Sequence, residues 1–213
     1  MSDSKRLSFQ KMHGLGNDFV VLDARVHDLK GFWTPERIRK IANRRLGVGC
    51  DQVIVMMPGL SPNTDCFMKI FNPDGSEAGA CGNATRCVAD LLMREQGRQT
   101  CLIETKAGLL SCSRQEKNFI CVDMGSPHLE WHEIPLSHPC DPLTLPLDVD
   151  AAAVSMGNPH CVVFVDNLED IPVDRLGPSL ENNGLFPERA NVCLLYTSPS
   201  SRDGLLSRMP SSA

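Results

Sequence analysis

Cys81 is the residue of this sequence whose type and setting could support acid–base or nucleophilic chemistry. It stands between a glycine-rich turn and a segment whose apolar residues recur with helical spacing. The first turn of a helix has unpaired N–H groups and partial positive charge, which predicts a thiol pKa below the usual value of about 8.5. The same N–H groups can bind an anion, and Gly82 lets a ligand approach the backbone closely. The alternative is a buried structural cysteine.

The elements that would position Cys81 are predicted from periodicity. Alternating residues predict a strand over residues 66–71, and Asp74-Gly75 is typical of a turn. Gly97 favours the end of the helix that follows Cys81. The apolar face of this helix comprises Ala84, Cys87, Val88, Leu91 and Leu92. Cys87 is therefore interpreted as a core residue.

Composition argues against several functional classes. The chain has 213 residues and a net charge of −5, from 21 basic and 26 acidic side chains, so no nucleic-acid partner is expected. No apolar signal segment opens the sequence, and no apolar run approaches the ~18 residues that cross a bilayer. Ten cysteines without a Cys-x-x-Cys pair favour reduced thiols in a cytoplasmic protein. His128 and His132 have helical spacing, but no cysteine pair accompanies them, so no metal site is predicted.

Residues 72–87 resemble the first active-site segment of the diaminopimelate epimerases, the pyridoxal-independent isomerases of lysine and peptidoglycan-precursor synthesis. Further segments that match this family are residues 13–23, 47–52, 156–160 and 186–192. The resemblance implies a small-molecule amino-acid substrate, diaminopimelate, whose LL and meso forms would be interconverted. It implies no cofactor, and it is compatible with a homodimer.

The resemblance also implies roles for particular side chains. Cys81 would be one of two catalytic cysteines, and His160 would assist. The substrate-binding positions implied by the family are Asn17, Gln52, Asn72, Gly82, Asn83, Asn158 and Asn191. Considered without the family, Asn17 and His160 are better explained as turn residues.

The implied mechanism inverts a weakly acidic carbon centre. One thiolate removes the α-proton from one face, and a thiol on the opposite face delivers another. The N-termini of two helices would stabilise the negative charge that develops on the substrate.

The fold class implied by the resemblance is α+β, with a curved mixed β-sheet wrapped around a central helix. Two pseudo-symmetric halves are expected, the second of them incomplete. We predict an N-terminal half over residues 1–125 and a partial second half over residues 126–192. The boundary is placed near residue 125 because residues 126–147 contain five prolines and little periodicity.

The resemblance ends after Val192. Residues 193–213 resemble the translation of a transposon-end sequencing adapter, and we predict a non-native or disordered tail there. In the family, a second segment with an acidic–basic pair and another cysteine lies beyond this point. The 213 residues are therefore expected to represent a C-terminally truncated epimerase, without net epimerase activity.

Other functional classes stay open from the residues alone. A proline-racemase-like enzyme shares the implied architecture, but histidine is expected after Cys-Gly, where Asn83 stands. A phenazine-synthesis-like isomerase would lack the cysteine. A cysteine hydrolase would need His13 or His160 beside Cys81. A non-catalytic ligand-binding or redox-sensing protein would need only a reactive Cys81.

Overall fold

The computed structural model describes residues 7–26 and 31–196, which divide into two compact units, one ending at Met124 and the next beginning at Gly125. The first unit contains eight strands and two α-helices. The strands are β1 (Phe9–Gly14), β2 (Asn17–Asp23), β3 (Gln52–Met57), β4 (Cys66–Phe71), β5 (Glu77–Ala78), β6 (Thr100–Thr105), β7 (Gly108–Arg114) and β8 (Ile120–Asp123). The helices are α1 (Pro35–Ala42) and α2 (Gly82–Gln96).

The strands of the first unit form one mixed sheet in the order β1-β2-β3-β4-β6-β7-β8, with β5 paired to β4. The β2–β3 and β4–β6 pairs are parallel, and the other pairs are antiparallel. Helix α2 contacts both β1 and β8, which end this strand order, as well as β2, β6 and β7. The sheet therefore curves around α2, as the fold class predicted.

Helix α2 forms because its apolar face is buried against the concave side of the sheet. Ala84, Val88 and Leu92 are fully buried there, and Cys87 joins the same cluster as a core residue. The sheet contributes residues that include Phe19, Ile54, Met68 and Ile103. Gly97 ends the helix in the left-handed conformation (φ 64°), as its position predicted.

Helix α1 covers the other side of the sheet. Its N-cap, Thr34, accepts a hydrogen bond from the N–H of Arg37, and Pro35 follows in the first turn. Ile38 packs in a cluster with Val53 and Val55 of β3, whereas Ile54 and Met56 belong to the α2 side. From Val53 onward the sequence of β3 is continuously apolar, as is typical of a strand that is buried on both faces.

The second unit contains a three-stranded sheet in the order β11-β10-β9, with β9 at Ala151–Ser155, β10 at Pro159–Phe164 and β11 at Asn191–Leu195. Strand β10 is antiparallel to β9 and parallel to β11. Helix α3 (Val173–Glu181) follows Pro172, which occupies its N-cap, and Asp174 lies in its first turn, where a negative charge is favourable. The core of this unit includes Ile134, Cys161 and Val163.

The structure changes the predicted start of the C-terminal tail. Residues Cys193, Leu194 and Leu195 continue β11 and pair with Val162, Val163 and Phe164 of β10. They enter the strand because Val192 and Leu194 pack against the core of the second unit. The remainder of the predicted tail, from residue 197 onward, lies outside the described residues, and its relation to an adapter stays a prediction.

Within residues 7–26 and 31–196, no helix has the length and apolar character needed to cross a membrane.

Candidate active site

Three amide side chains meet at one end of the first sheet because neighbouring strands start or finish there. Asn17 is the first residue of β2, and Gln52 is the first residue of the parallel strand β3. Strand β4 runs antiparallel to β3 and ends at Phe71, so Asn72 emerges at the same end. All three side chains are half-buried, which leaves them within reach of a ligand.

Cys81 is the N-cap of α2, as predicted, with extended backbone angles (φ −156°, ψ 102°). Its Sγ accepts a hydrogen bond from the N–H of Ala84 at 3.5 Å. Its carbonyl oxygen accepts from the Thr85 hydroxyl at 2.8 Å and from the Thr85 N–H at 2.9 Å. Gly82 begins the helix beside it, so the sulfur lies at the helix end whose first N–H groups have no partner within the helix.

The prediction of a lowered pKa for Cys81 is wrong. Burial raises the pKa of this thiol above its ordinary value. The N–H groups of Ala84 and Asn83 and the charge of Arg86 act in the opposite direction, but burial outweighs them. Cys81 is therefore a protonated thiol at neutral pH, a form that can donate a proton and must lose one to act as a base.

A chain of hydrogen bonds joins the mouth of α2 to the sheet. The Arg86 guanidinium donates to Oδ1 of Asn83, and Asn83 Nδ2 donates to Oδ1 of Asn17 at 2.7 Å. Asn17 Nδ2 in turn donates to Oδ2 of Asp51 at 3.4 Å. The structure thus brings together Cys81, Asn17 and Asn83, and it adds Arg86, which the sequence did not identify. The sequence feature that could have identified Arg86 is its position three residues after Asn83 on the same helix. Helical side chains tilt toward the N-terminus, so the Arg86 side chain can reach Asn83.

An ion network holds the turn that carries Asn17. Arg44 donates to Asp18 at 2.6 and 3.0 Å and to Asp51 at 2.7 Å, and Lys11 donates to Asp18 at 2.7 Å. The N–H of Asp18 donates to Asp51 at 3.0 Å, and the N–H of Asp51 donates to Asp18 at 2.9 Å. The Arg44 guanidinium holds the pKa of Asp18 well below its usual range.

A second chain of hydrogen bonds fixes Gln52 and Asn72. Gln52 Nε2 donates to Oδ1 of Asn72 at 3.1 Å, and Asn72 Nδ2 donates to the Ser76 hydroxyl at 3.1 Å. That hydroxyl donates to Asp74 at 2.6 Å. Gly75 closes the turn with φ 88°, and a Cβ at this position would lie 2.6 Å from Cα of Pro35. The turn that presents Asn72 therefore rests directly on the start of α1.

The second unit holds the other predicted residues at one end of its sheet. His160 pairs with Asn191 across β10 and β11. His160 Nε2 lies 3.1 Å from Oδ1 of Asn158, and Asn191 Nδ2 donates to the carbonyl of Pro159 at 3.2 Å. Burial lowers the pKa of His160, so its imidazole is neutral at neutral pH. His160 Nδ1 also lies 3.7 Å from Sγ of Cys193, and His160 belongs to β10 rather than to a turn.

Comparison with protein families adds to this geometry. Residues 9–130 match the family model described as diaminopimelate epimerase. The chain is 50% identical to the diaminopimelate epimerase of Rhodospirillum centenum over 188 residues, which cover 86% of this chain and 64% of that protein. It is also 50% identical to the diaminopimelate epimerase of Gluconobacter oxydans over 186 residues, which cover 87% and 68%. The chain thus spans about two thirds of the length of these curated relatives.

Solved structures share the fold at lower identity. A hydroxyproline epimerase from Agrobacterium vitis superposes with a TM-score of 0.55 and 15% identity, covering 85% of this chain and 56% of that one. A predicted epimerase from Pseudomonas aeruginosa superposes with a TM-score of 0.54 and 19% identity, covering 90% and 70%. At these identities the likeness establishes the α+β fold with its curved mixed sheet.

Proposed function

Since the chain belongs to the diaminopimelate epimerase family, we propose that Cys81 exchanges the α-proton of diaminopimelate, as one of the two proton-transfer groups of an epimerase. The observation that carries the proposal is the position of Cys81 at the N-terminus of α2, linked through Asn83 to the amide-lined end of the sheet. This setting combines a titratable thiol with N–H donors of Asn83 and Ala84 that act on its sulfur.

The proposed step breaks the Cα–H bond of the substrate and forms an S–H bond at Cys81. The electron pair left on Cα delocalises into the adjacent carboxylate. Negative charge that develops there is stabilised by the helix N-terminus, where Gly82 leaves the backbone open to the substrate. A group on the opposite face of Cα then delivers a proton, and the family resemblance assigns this role to a second cysteine.

The raised pKa of Cys81 sets the direction of its proton transfer. In the free protein at neutral pH the thiol is protonated, so Cys81 is ready to donate. Abstraction requires the thiolate. While the pH is below the thiol pKa, each increase of one pH unit raises the thiolate fraction about tenfold. Exchange that depends on the thiolate is therefore expected to accelerate with pH.

We propose that the amides of the first unit bind polar groups of the substrate. Asn17, Gln52, Asn72 and Asn83 hold fixed orientations through the two hydrogen-bond chains, so they are arranged before a ligand arrives. In the second unit we propose that Asn158 and Asn191 bind substrate and that the neutral His160 assists. The family resemblance and the placement of these three residues at one sheet end support this assignment.

The test is solvent-deuterium incorporation by the 213-residue chain, followed by NMR of diaminopimelate in deuterated buffer. Among the residues that the structure describes up to Val192, Cys81 is the one cysteine at a helix N-terminus, so we expect slow exchange at the α-carbon of one stereocentre with configuration retained. Exchange should disappear in Cys81→Ala. It should persist in Cys121→Ala, which removes an exposed thiol of β8 and serves as the matched control.

Three outcomes would contradict parts of the proposal. Exchange that survives Cys81→Ala would remove Cys81 from the reaction. Exchange with inversion would show that a second group already acts on the opposite face. A burst of nitrophenol from a nitrophenyl ester, without any α-proton exchange, would favour a cysteine hydrolase instead.

A further inference from the structure

We propose that Arg86 is a positioning residue of the Cys81 site, holding the Asn83 amide in one orientation and placing a positive charge beside the sulfur. It touches Asn83 rather than the reacting atoms, so it acts through its neighbours. The inference rests on the proposed function only in taking Cys81 as the reacting group. The family resemblance assigned no role to this arginine.

The first part of the inference follows from the direction of the hydrogen bonds. An asparagine amide can occupy either of two orientations that exchange its oxygen and nitrogen. A guanidinium is only a donor, so Oδ1 of Asn83 must face Arg86 and Nδ2 must face Asn17. Asn17 Nδ2 then faces the carboxylate of Asp51, which only accepts. This series of hydrogen bonds therefore starts at a group that can only donate, Arg86, and ends at a group that can only accept, Asp51. The direction of every hydrogen bond between them is fixed.

Burial makes this orientation depend on Arg86. Asn83 is 1% exposed, so water cannot readily replace a lost partner. Without the guanidinium, Oδ1 of Asn83 would be left unpaired in a buried position. Rotating the amide would not restore the chain, because it would place two oxygens, Oδ1 of Asn83 and Oδ1 of Asn17, against each other. Asn17 and Asn83 are both predicted substrate-binding residues. Replacing Arg86 is therefore expected to disturb the orientation of both amides.

The second part of the inference follows from where the Arg86 side chain lies. It tilts back along α2, so that a Cβ built on Gly82 would lie 3.9 Å from its Nη1. Its charge lowers the pKa of Cys81, against the larger effect of burial. Arg86 is the charged group that acts on the Cys81 thiol, and the other effects on this thiol come from burial and from the N–H groups of Asn83 and Ala84. Variants of Arg86 leave these N–H groups in place.

The test compares the pH dependence of Cys81 alkylation in four variants of the full chain. Arg86→Met removes the charge and the donors, Arg86→Gln keeps an N–H donor without the charge, and Arg86→Lys keeps the charge. Arg94→Met is the matched control, since Arg94 lies two turns further along α2 with a side chain that is 71% exposed and paired with Asp90. Iodoacetamide labelling of the Cys81 peptide is followed by mass spectrometry, without any substrate.

We expect the alkylation profile of Cys81 to shift to higher pH in Arg86→Met and Arg86→Gln. At a fixed pH on the rising limb the rate should fall about threefold to tenfold, since one pKa unit is tenfold and solvent screens part of the charge. Arg86→Lys and Arg94→Met should stay near the rate of the unchanged protein. An unchanged profile in Arg86→Gln, with α-helical circular dichroism preserved, would overturn the role of the charge.

Deuterium exchange supplies a second readout for the orientation of Asn83. At equal thiolate fraction, Arg86→Met should exchange more slowly than Arg86→Gln, because glutamine retains a donor for Oδ1 of Asn83. Equal exchange in these two variants would overturn the positioning of the amide. If the unchanged protein exchanges no α-proton while the alkylation shift occurs as expected, the proposed function fails and the electrostatic role of Arg86 stands. If Arg86→Met does not fold, Arg86→Gln against Arg86→Lys still decides the charge. Arg86→Ala, which also removes the donors, then replaces Arg86→Met in the exchange comparison with Arg86→Gln.

Discussion

Replacing Gly75 with alanine tests whether the turn that presents Asn72 depends on close contact with α1. Gly75 has φ 88°, and an added Cβ would lie 2.6 Å from Cα, 2.7 Å from Cβ and 2.7 Å from the carbonyl oxygen of Pro35. Two of these three atoms belong to the backbone, so no side-chain rotation relieves the overlap. Either the turn moves away from α1, or the start of α1 moves.

Gly97→Ala is the matched control, because Gly97 also has a left-handed conformation, with φ 64°, but open space around the position of a Cβ. The left-handed conformation alone costs about 1–2 kcal/mol for a residue with a Cβ. Overpacking adds about 1–3 kcal/mol at Gly75. We therefore expect the free energy of unfolding to fall by about 2–5 kcal/mol in Gly75→Ala and by about 1–2 kcal/mol in Gly97→Ala.

Urea unfolding in a Trp131→Phe background measures this difference. The remaining tryptophan, Trp33, packs on the α1 side of the sheet and lies two residues before Pro35, so its fluorescence reports the first unit. Equal m-values in the two variants are required for the comparison. Because Gly75 N–H donates to the carbonyl of Asn72 at 2.9 Å, Gly75→Ala should also slow α-proton exchange. A cost in Gly75→Ala no larger than in Gly97→Ala would refute the close packing of the turn on α1.

Two further predictions concern titration. Iodoacetamide should label Cys121 first, because this thiol is exposed. The labelling rate of Cys81 should still be rising at pH 9, because burial raises the pKa of Cys81. Mass-spectrometric mapping that finds Cys81 labelled first at pH 7 would contradict this prediction. Asp18 has a lowered pKa in the folded protein, so its ion pairs stabilise the protein above about pH 4, and this stabilisation is lost as the pH falls further. The urea midpoint should therefore fall less between pH 5 and pH 2.5 in Arg44→Met than in the control Arg45→Met. Equal falls in both variants would show that the Arg44–Asp18 pair contributes nothing to the free energy of unfolding.

Local pattern was sufficient to predict the central helix and its cysteine. The apolar spacing from Ala84 onward and the position of Gly97 both depend on interactions within a few residues, and the structure confirms both ends of α2. The amide positions came from the resemblance instead, because no local signal states that Asn17, Gln52 and Asn72 share a sheet end. That arrangement results from strand order and register, which join distant segments.

The errors arose where tertiary packing outweighed a local rule. A helix N-terminus lowers a thiol pKa, but Cys81 is also enclosed by its surroundings, and the desolvation this causes has the larger effect. Arg86 was missed because its role depends on a contact with Asn83 that periodicity does not express. Cys193–Leu195 were assigned to the tail because the resemblance ended at Val192, yet the exposed edge of β10 pairs with them.

The spacing of the site along the chain has a consequence for how the protein folds. Asn83 meets Asn17 across 66 residues, and Asn17 meets Asp51 across 34, so these bonds form only after large loops close. Helix α2 is local and can form earlier, with Cys81 at its N-terminus but not yet enclosed. Burial is the largest influence on the native Cys81 thiol, and it depends on the sheet closing around α2. Closure of the sheet therefore protects the sulfur as well as assembling the site, and a helix end without that closure would favour the thiolate.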